Sequence, residues 1–254
     1  MVKIDNLTVS YRQHPALHHI SGTFARGSLT AVIGPNGSGK STLLKSVMGL
    51  LRPEGGQISV QVPSARIAYL AQLTEIDRSF PMSVLDCVML GCWSAVGAFG
   101  RVTPALMQRV QAAVVGVGLA GFEQRSVGSL SSGQLQRVLF ARLVVQEADL
   151  ILLDEPFNAM DSRTTEALLA LIHRWHAEGR TVMAVLHDDE QVRQHFPQTV
   201  LLARELVAWG DTAVVLTEPN LRRARALAEA WDDTADICHT DEAPAPASAL
   251  KRAA

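Results

Sequence analysis

Residues 34–41, Gly34-Pro35-Asn36-Gly37-Ser38-Gly39-Lys40-Ser41, satisfy the spacing G-x4-G-K-[ST] in full. They follow an apolar run and open a stretch of helical periodicity, which is the context the motif needs to cradle phosphate. Glycines let consecutive backbone N–H groups turn inward on an anion, and the helix N-terminus adds the positive end of its dipole. Lys40 is then expected on the β- and γ-phosphates and Ser41 on Mg²⁺, with Thr42 completing the contacts. A second pair of groups, Asp154 and Glu155, ends the apolar run 150–153. Asp154 is expected as a further Mg²⁺ contact. Glu155, on the opposite side of an extended chain, is expected to orient or deprotonate an attacking water.

The elements that must carry these groups can be read from periodicity. Residues 2–9 and 17–24 are spaced as short half-buried strands with an antiparallel opening, and 29–33 is a compact buried strand. Residues 40–51 read as a helix closed by Pro53 and Gly55-Gly56, 58–62 as an edge strand and 67–70 as another strand. Helical spacing then dominates to Gln146. The continuous apolar runs 150–153 and 182–186 fit parallel strands buried on both faces, with 164–177 as their crossover helix. A segment 199–209 and a helix near 221–231 follow. The tail holds five acids between Asp232 and Glu242, then Ala-Pro-Ala-Pro-Ala, and is expected to be disordered.

A third chemical element is Leu130-Ser131-Ser132-Gly133-Gln134, which opens the helical stretch 135–146. With it, the chain resembles the ATP-binding cassette (ABC) family from residue 2 to about residue 217. The resemblance implies an α/β fold: a parallel-sheet core of the P-loop NTPase type, an antiparallel β layer and an inserted helical lobe at about 76–146. Residues 1–217 would form the ATP-binding domain, and 218–254 a C-terminal helix and tail. The family signature usually has glycine where this chain has Ser132, while Ser131, Gly133 and Gln134 fit it. By the same resemblance Tyr11 would stack on adenine, and Gln72 would couple Mg²⁺ and water to the helical lobe. Asp161 would communicate across a cassette dimer, and His187 would touch the γ-phosphate. Two chains would face head to tail, so that Lys40, Ser41, Asp154 and Glu155 of one share an ATP with Ser131 and Gly133 of the other.

The segment 75–81, then Val84-Leu85-Asp86 and Met89-Leu90-Gly91, resembles zinc and manganese uptake cassettes, as does Pro156-Phe157. The implied function is ATP hydrolysis driving import of a divalent metal, with integral membrane permease subunits as direct partners and a substrate-binding protein as an indirect one. Import of another substrate such as a metal chelate, or a non-transport assembly module, stays open at this point. A soluble ATPase of DNA maintenance or translation is disfavoured: 254 residues hold no long coiled-coil insertion, zinc module or second cassette.

Composition bounds these readings. The chain is 48% hydrophobic and 19% charged, which is ordinary globular material. Twenty-three basic against 25 acidic residues give a net charge of −2, so no overall positive field recommends nucleic acid. Three cysteines, Cys87, Cys92 and Cys238, fit a reducing compartment better than a disulfide framework. His14, His18 and His19, and Cys238-His239, read as surface residues without zinc-ligand geometry. The start carries no signal-peptide pattern, and no stretch reaches the ~18 uncharged apolar residues of a membrane span. The expectation is a cytoplasmic chain, peripheral on the inner face of the cell membrane.

Overall fold

The computed structural model describes residues 1–11, 14–97, 100–158 and 160–230. In chain order the strands are β1 (Val2–Tyr11), β2 (His14–Phe24), β3 (Leu29–Ile33), β4 (Gly55–Val60), β5 (Ile67–Leu70), β6 (Leu150–Asp154), β7 (Thr181–Val185), β8 (Gln198–Ala203) and β9 (Glu205–Asp211). The helices are α1 (Lys40–Met48), α2 (Val84–Met89), α3 (Trp93–Val96), α4 (Pro104–Gly116), α5 (Ser132–Gln146), α6 (Ser162–Ala177), α7 (Asp189–His195), α8 (Thr212–Val215) and α9 (Glu218–Glu229).

Two sheets form. One is antiparallel with order β2-β1-β4, and the other has order β5-β6-β7-β3-β8-β9. In the larger sheet all pairings are parallel except β8 with β9. Its central strands are buried along their whole length because each feeds two cores, one per face. Leu29, Ala31 and Ile33 of β3, Ile151 and Leu153 of β6, and Val182 and Ala184 of β7 join the core under α5 to α7. Val32, Leu150, Leu152, Met183 and Val185 point the other way, onto Leu43, Leu44 and Val47 of α1 and the apolar side of the antiparallel sheet. The period-2 alternation of a strand therefore appears in sequence as an unbroken apolar run.

Strands β5 and β6 are neighbours, and the helical stretch α2 to α5 is the excursion between them. It packs on itself through α2, α4 and α5, and rejoins the sheet where Gln146 Nε2 donates to the Ile67 carbonyl at 2.9 Å. Several boundaries differ from the sequence reading. Helix α1 ends at Met48 rather than Leu51, because Gly49 takes the left-handed conformation and its N–H caps the Lys45 and Ser46 carbonyls. Strand β4 runs Gly55–Val60, starting at the glycine pair itself. Segment 199–209 is a hairpin of two strands turning at Arg204, φ 62°. The expected tail, the last residue of the expected C-terminal helix and Cys238 lie outside the described residues.

Candidate active site

Four parallel strands deliver their next residues to one edge of the sheet. The loop after β3 is the glycine-rich one; β5 leads to Gln72, β6 ends in Asp154 followed by Glu155, and β7 leads to His187. The carboxyl ends of strands beside a change in strand order are where α/β sheets form clefts. Here Asn36, Gly37, Ser38, Gly39, Lys40, Ser41, Thr42, Gln72, Glu155 and His187 line a single cavity of about 740 Å³ together with Ala16.

The loop is built for close backbone approach. Gly39 has φ 90° and passes so near β2 that a Cβ there would sit 2.3 Å from the Ala16 carbonyl oxygen, so no other residue fits without displacing the strand. Ser38 N–H donates to the Pro35 carbonyl and Arg204 N–H to the Ser38 carbonyl, tying the loop to the β8–β9 hairpin. Lys40 is buried, and its Nζ donates to the carbonyls of Gly34 and Pro35 at 2.9 Å each. Burial lowers the pKa of the ammonium, while Glu155 and Asp154 pull it back up. A desolvated cation hydrogen-bonded to two neutral carbonyls is poised for an anion. Ser38 Oγ is buried without a hydrogen-bond partner, a second polar group awaiting a ligand.

Beside the loop lies a hard-oxygen set. Ser41 Oγ donates to Asp154 Oδ1 at 2.9 Å, and Gln72 Nε2 reaches Ser41 Oγ at 3.1 Å and Asp154 Oδ1 at 3.5 Å. Tyr69 OH donates to Asp154 Oδ2 at 3.4 Å. Asp154 is fully buried, and desolvation pushes its carboxyl above the usual range against the pull of Ser41 and Gln72. The Asp154 carboxylate and the Ser41 hydroxyl are oxygen donors of the kind Mg²⁺ takes, and the Gln72 amide beside them would add a third by turning its oxygen toward the ion.

Glu155 departs from the extended geometry expected for it. Its φ is 51°, so a left-handed turn, not strand alternation, swings its side chain toward the loop. His187 Nε2 lies 2.8 Å from Glu155 Oε1, and Asn158 Nδ2 donates to Glu155 Oε2. The carboxylate is thus aimed from both sides. The Asn158 and Tyr69 contacts were not anticipated from sequence; the i, i+3 spacing of Glu155 and Asn158 and the short step from Tyr69 to Gln72 are the only local signals for them.

The remaining expected residues lie apart. Ser131, Ser132, Gly133, Gln134 and Asp161 line a separate cavity of about 290 Å³ with Arg137, Met160 and Thr164. Ser131 caps α5 in a capping box, its Oγ accepting from Gln134 N–H while Gln134 Oε1 accepts from Ser131 N–H. Asp161 caps α6, accepting from Thr164 N–H at 2.9 Å and Thr164 Oγ1 at 2.8 Å, bonds that hold its carboxyl below the usual range. Tyr11 ends β1, and its side chain lies outside the described residues. One chain therefore brings together the loop, the metal set and the water-side groups, but not Ser131, Gly133, Gln134 or Asp161.

The profile of the family described as ABC transporter matches residues 17–158, more than half of the chain. The chain belongs to the ABC transporter family. It is 37% identical over 228 residues to the zinc transport system ATP-binding protein of Treponema pallidum, covering 88% of this chain and 86% of that one. It is also 37% identical over 228 residues to the manganese transport system ATP-binding protein of Listeria monocytogenes, covering 88% and 95%. Among solved structures it is similar to an ABC transporter described as of the metal-chelate type, in an inward-facing conformation: TM-score 0.77, 31% identity, covering 89% of this chain and 88% of that one. The dimeric structure of a bacterial ABC transporter cassette matches with TM-score 0.74 at 24% identity, over 84% of this chain and 99% of that one, a likeness of fold. The cassette fold expected from sequence is thus the fold observed.

Proposed function

We propose that this cassette is the ATP-hydrolysing subunit of a divalent-metal importer, zinc or manganese, acting as a homodimer on the cytoplasmic face of integral membrane permease subunits. The observation that carries the chemistry is the convergence of Lys40, Ser41, Gln72, Glu155 and His187 from four strand ends on one cavity, with buried Asp154 bonded to Ser41 at its wall. The unpartnered Ser38 Oγ and the buried, carbonyl-held Lys40 fit a phosphate chain. Ser41, Gln72 and Asp154 would hold Mg²⁺, which when bound neutralises phosphate charge. Lys40 exchanges its two carbonyl partners for β- and γ-phosphate oxygens. Glu155 orients water for in-line attack on the γ-phosphorus and takes its proton as the bond to the β-phosphate oxygen breaks. His187 fixes the Glu155 carboxylate and faces the γ-phosphate.

Ser131, Gly133, Gln134 and Asp161, on their separate cavity, complete the ATP site of a second copy. Residues 1–217 make up the ATP-binding unit and 76–146 the lobe that passes its motion on. Support for a permease contact is that Phe80, Leu90, Trp93 and Val102, all in the first part of that lobe, are exposed apolar side chains, Phe80 and Trp93 each to 61%. Among the described residues no helix is long and apolar enough to cross a membrane. The metal rests on the names of the zinc and manganese relatives. The metal-chelate transporter, at 31% identity, favours a second reading in which the cargo is a chelate.

The test is to copurify the chain with its membrane partner, reconstitute the complex in vesicles with ATP on the cassette side, and follow radioactive Zn²⁺ and Mn²⁺. Accumulation of one ion, lost with Glu155→Gln, is the expected result. Transport of a chelate but neither free ion would move the assignment to the second reading, and ATP turnover with no flux would overturn both.

A further inference from the structure

Ser132 stands where the family signature usually has glycine, and its hydroxyl has a partner. Arg78 Nη2 donates to Ser132 Oγ at 3.1 Å, across the gap between the segment after Gln72 and the first residue of α5. The segment is anchored along its length. Gln72 bonds Ser41 at the metal set, Glu75 pairs with Lys45 of α1, and Asp77 Oδ1 accepts from Ser79 N–H and Oγ in a turn that fixes the backbone on both sides of Arg78. Beyond Arg78 the chain pairs with the approach to the signature, through Val127 N–H to the Met82 carbonyl and Val84 N–H to the Arg125 carbonyl. Ser131 and Gln134 are occupied with each other in the capping box, so Ser132 supplies the one signature hydroxyl bonded from outside the helix.

We propose that Arg78 is a positioning residue that latches the signature turn through Ser132 and so couples the Gln72 loop, which serves one ATP, to Ser131 and Gly133, which serve the other. The coupling half of this inference rests on the shared-site dimer proposed above; the latch itself does not. A glycine at position 132 offers Arg78 no acceptor, so the substitution that departs from the family pattern creates the contact. A partly exposed hydrogen bond from a charged donor holds the turn by a modest amount, enough to bias the signature without being needed for folding. Arg78 is far in sequence from the loop and, among the described residues, donates to none of the groups around the nucleotide cavity, so its removal should leave binding of the first nucleotide intact.

The experiment compares wild type, Arg78→Ala, Arg78→Lys, Ser132→Gly and the double variant Arg78→Ala/Ser132→Gly as full-length chains. Amide hydrogen exchange across 130–136 in the nucleotide-free monomer should speed up several-fold in Arg78→Ala and in Ser132→Gly, with no further gain in the double variant. The ATP concentration giving half-maximal turnover should rise about three- to tenfold in Arg78→Ala at near-constant kcat. Arg78→Lys, which can still donate to a hydroxyl, should recover part of that shift. Unchanged exchange in Arg78→Ala, or single-variant effects that simply add in the double variant, would overturn the latch. Faster exchange with no change in the ATP dependence would keep the latch and overturn its coupling role; Glu155→Gln failing to pair on ATP would instead count against the shared-site reading.

Discussion

Lys40 is where the residue-scale chemistry is most exposed to test. Its ammonium is desolvated and held by two carbonyls, so Lys40→Ala removes a cation that the open cavity replaces with water, while the phosphate chain loses its closest charge. ATP affinity measured by calorimetry should fall by at least a hundredfold, with the melting temperature of the nucleotide-free protein shifting by no more than a few degrees. Ser132→Gly should keep turnover at saturating ATP within a few-fold of wild type in a coupled phosphate-release assay, since the backbone donors of Gly133 and the Ser131 cap remain. Sequence legibility at this scale followed motif length. The eight-residue loop and the Asp154-Glu155 pair could be placed because fixed spacing encodes their chemistry. The left-handed turn at Glu155 could not, because nothing in the residue type demands φ 51°. Nor could Arg78, whose partner lies 54 residues away.

At the scale of elements, the parallel strands were legible because burial on both faces leaves uninterrupted apolar runs, and α1 because a glycine loop must feed it. The β8–β9 hairpin reads in sequence as one segment because its turn uses Arg204, not the glycine or asparagine that signals a positive φ. Within the helical lobe one close contact between elements is at Gly91, where a Cβ would sit 2.2 Å from the Arg142 carbonyl oxygen of α5. Gly91→Ala should push α5 away from the turn after α2 and cost roughly 1–3 kcal/mol, the usual range for overpacking. Chemical denaturation would measure it. Nucleotide binding to the loop should be preserved, since Gly91 lies outside the nucleotide cavity; an equal loss of ATP affinity would mean that the lobe and the loop fold as one unit.

At the scale of the whole molecule, two of the described histidines favour the neutral form more than a free imidazole does. Burial depresses His18 below its ordinary 6.5, aided by His19 and opposed by Glu205. His173, 3.2 Å from His195, is depressed by burial, His195 and His176. The unfolded chain takes up these protons first, so stability present at neutral pH is lost as pH falls below about 6.5. Calorimetric melting temperatures should drop by a few degrees between pH 7 and pH 5, and His173→Gln should flatten that slope; an unchanged slope would place the acid sensitivity elsewhere. The central claim, that two cassettes trap ATP between them and need Glu155 to let go, has one direct measurement. Glu155→Gln keeps the size and the His187 and Asn158 contacts but loses the base, a change that typically costs 10²–10⁴-fold in rate. With ATP and Mg²⁺, size-exclusion chromatography should show Glu155→Gln as a dimer carrying two nucleotides while wild type at the same concentration stays mostly monomeric. A Glu155→Gln protein that hydrolyses ATP at the wild-type rate, or that elutes as a nucleotide-free monomer, would contradict it.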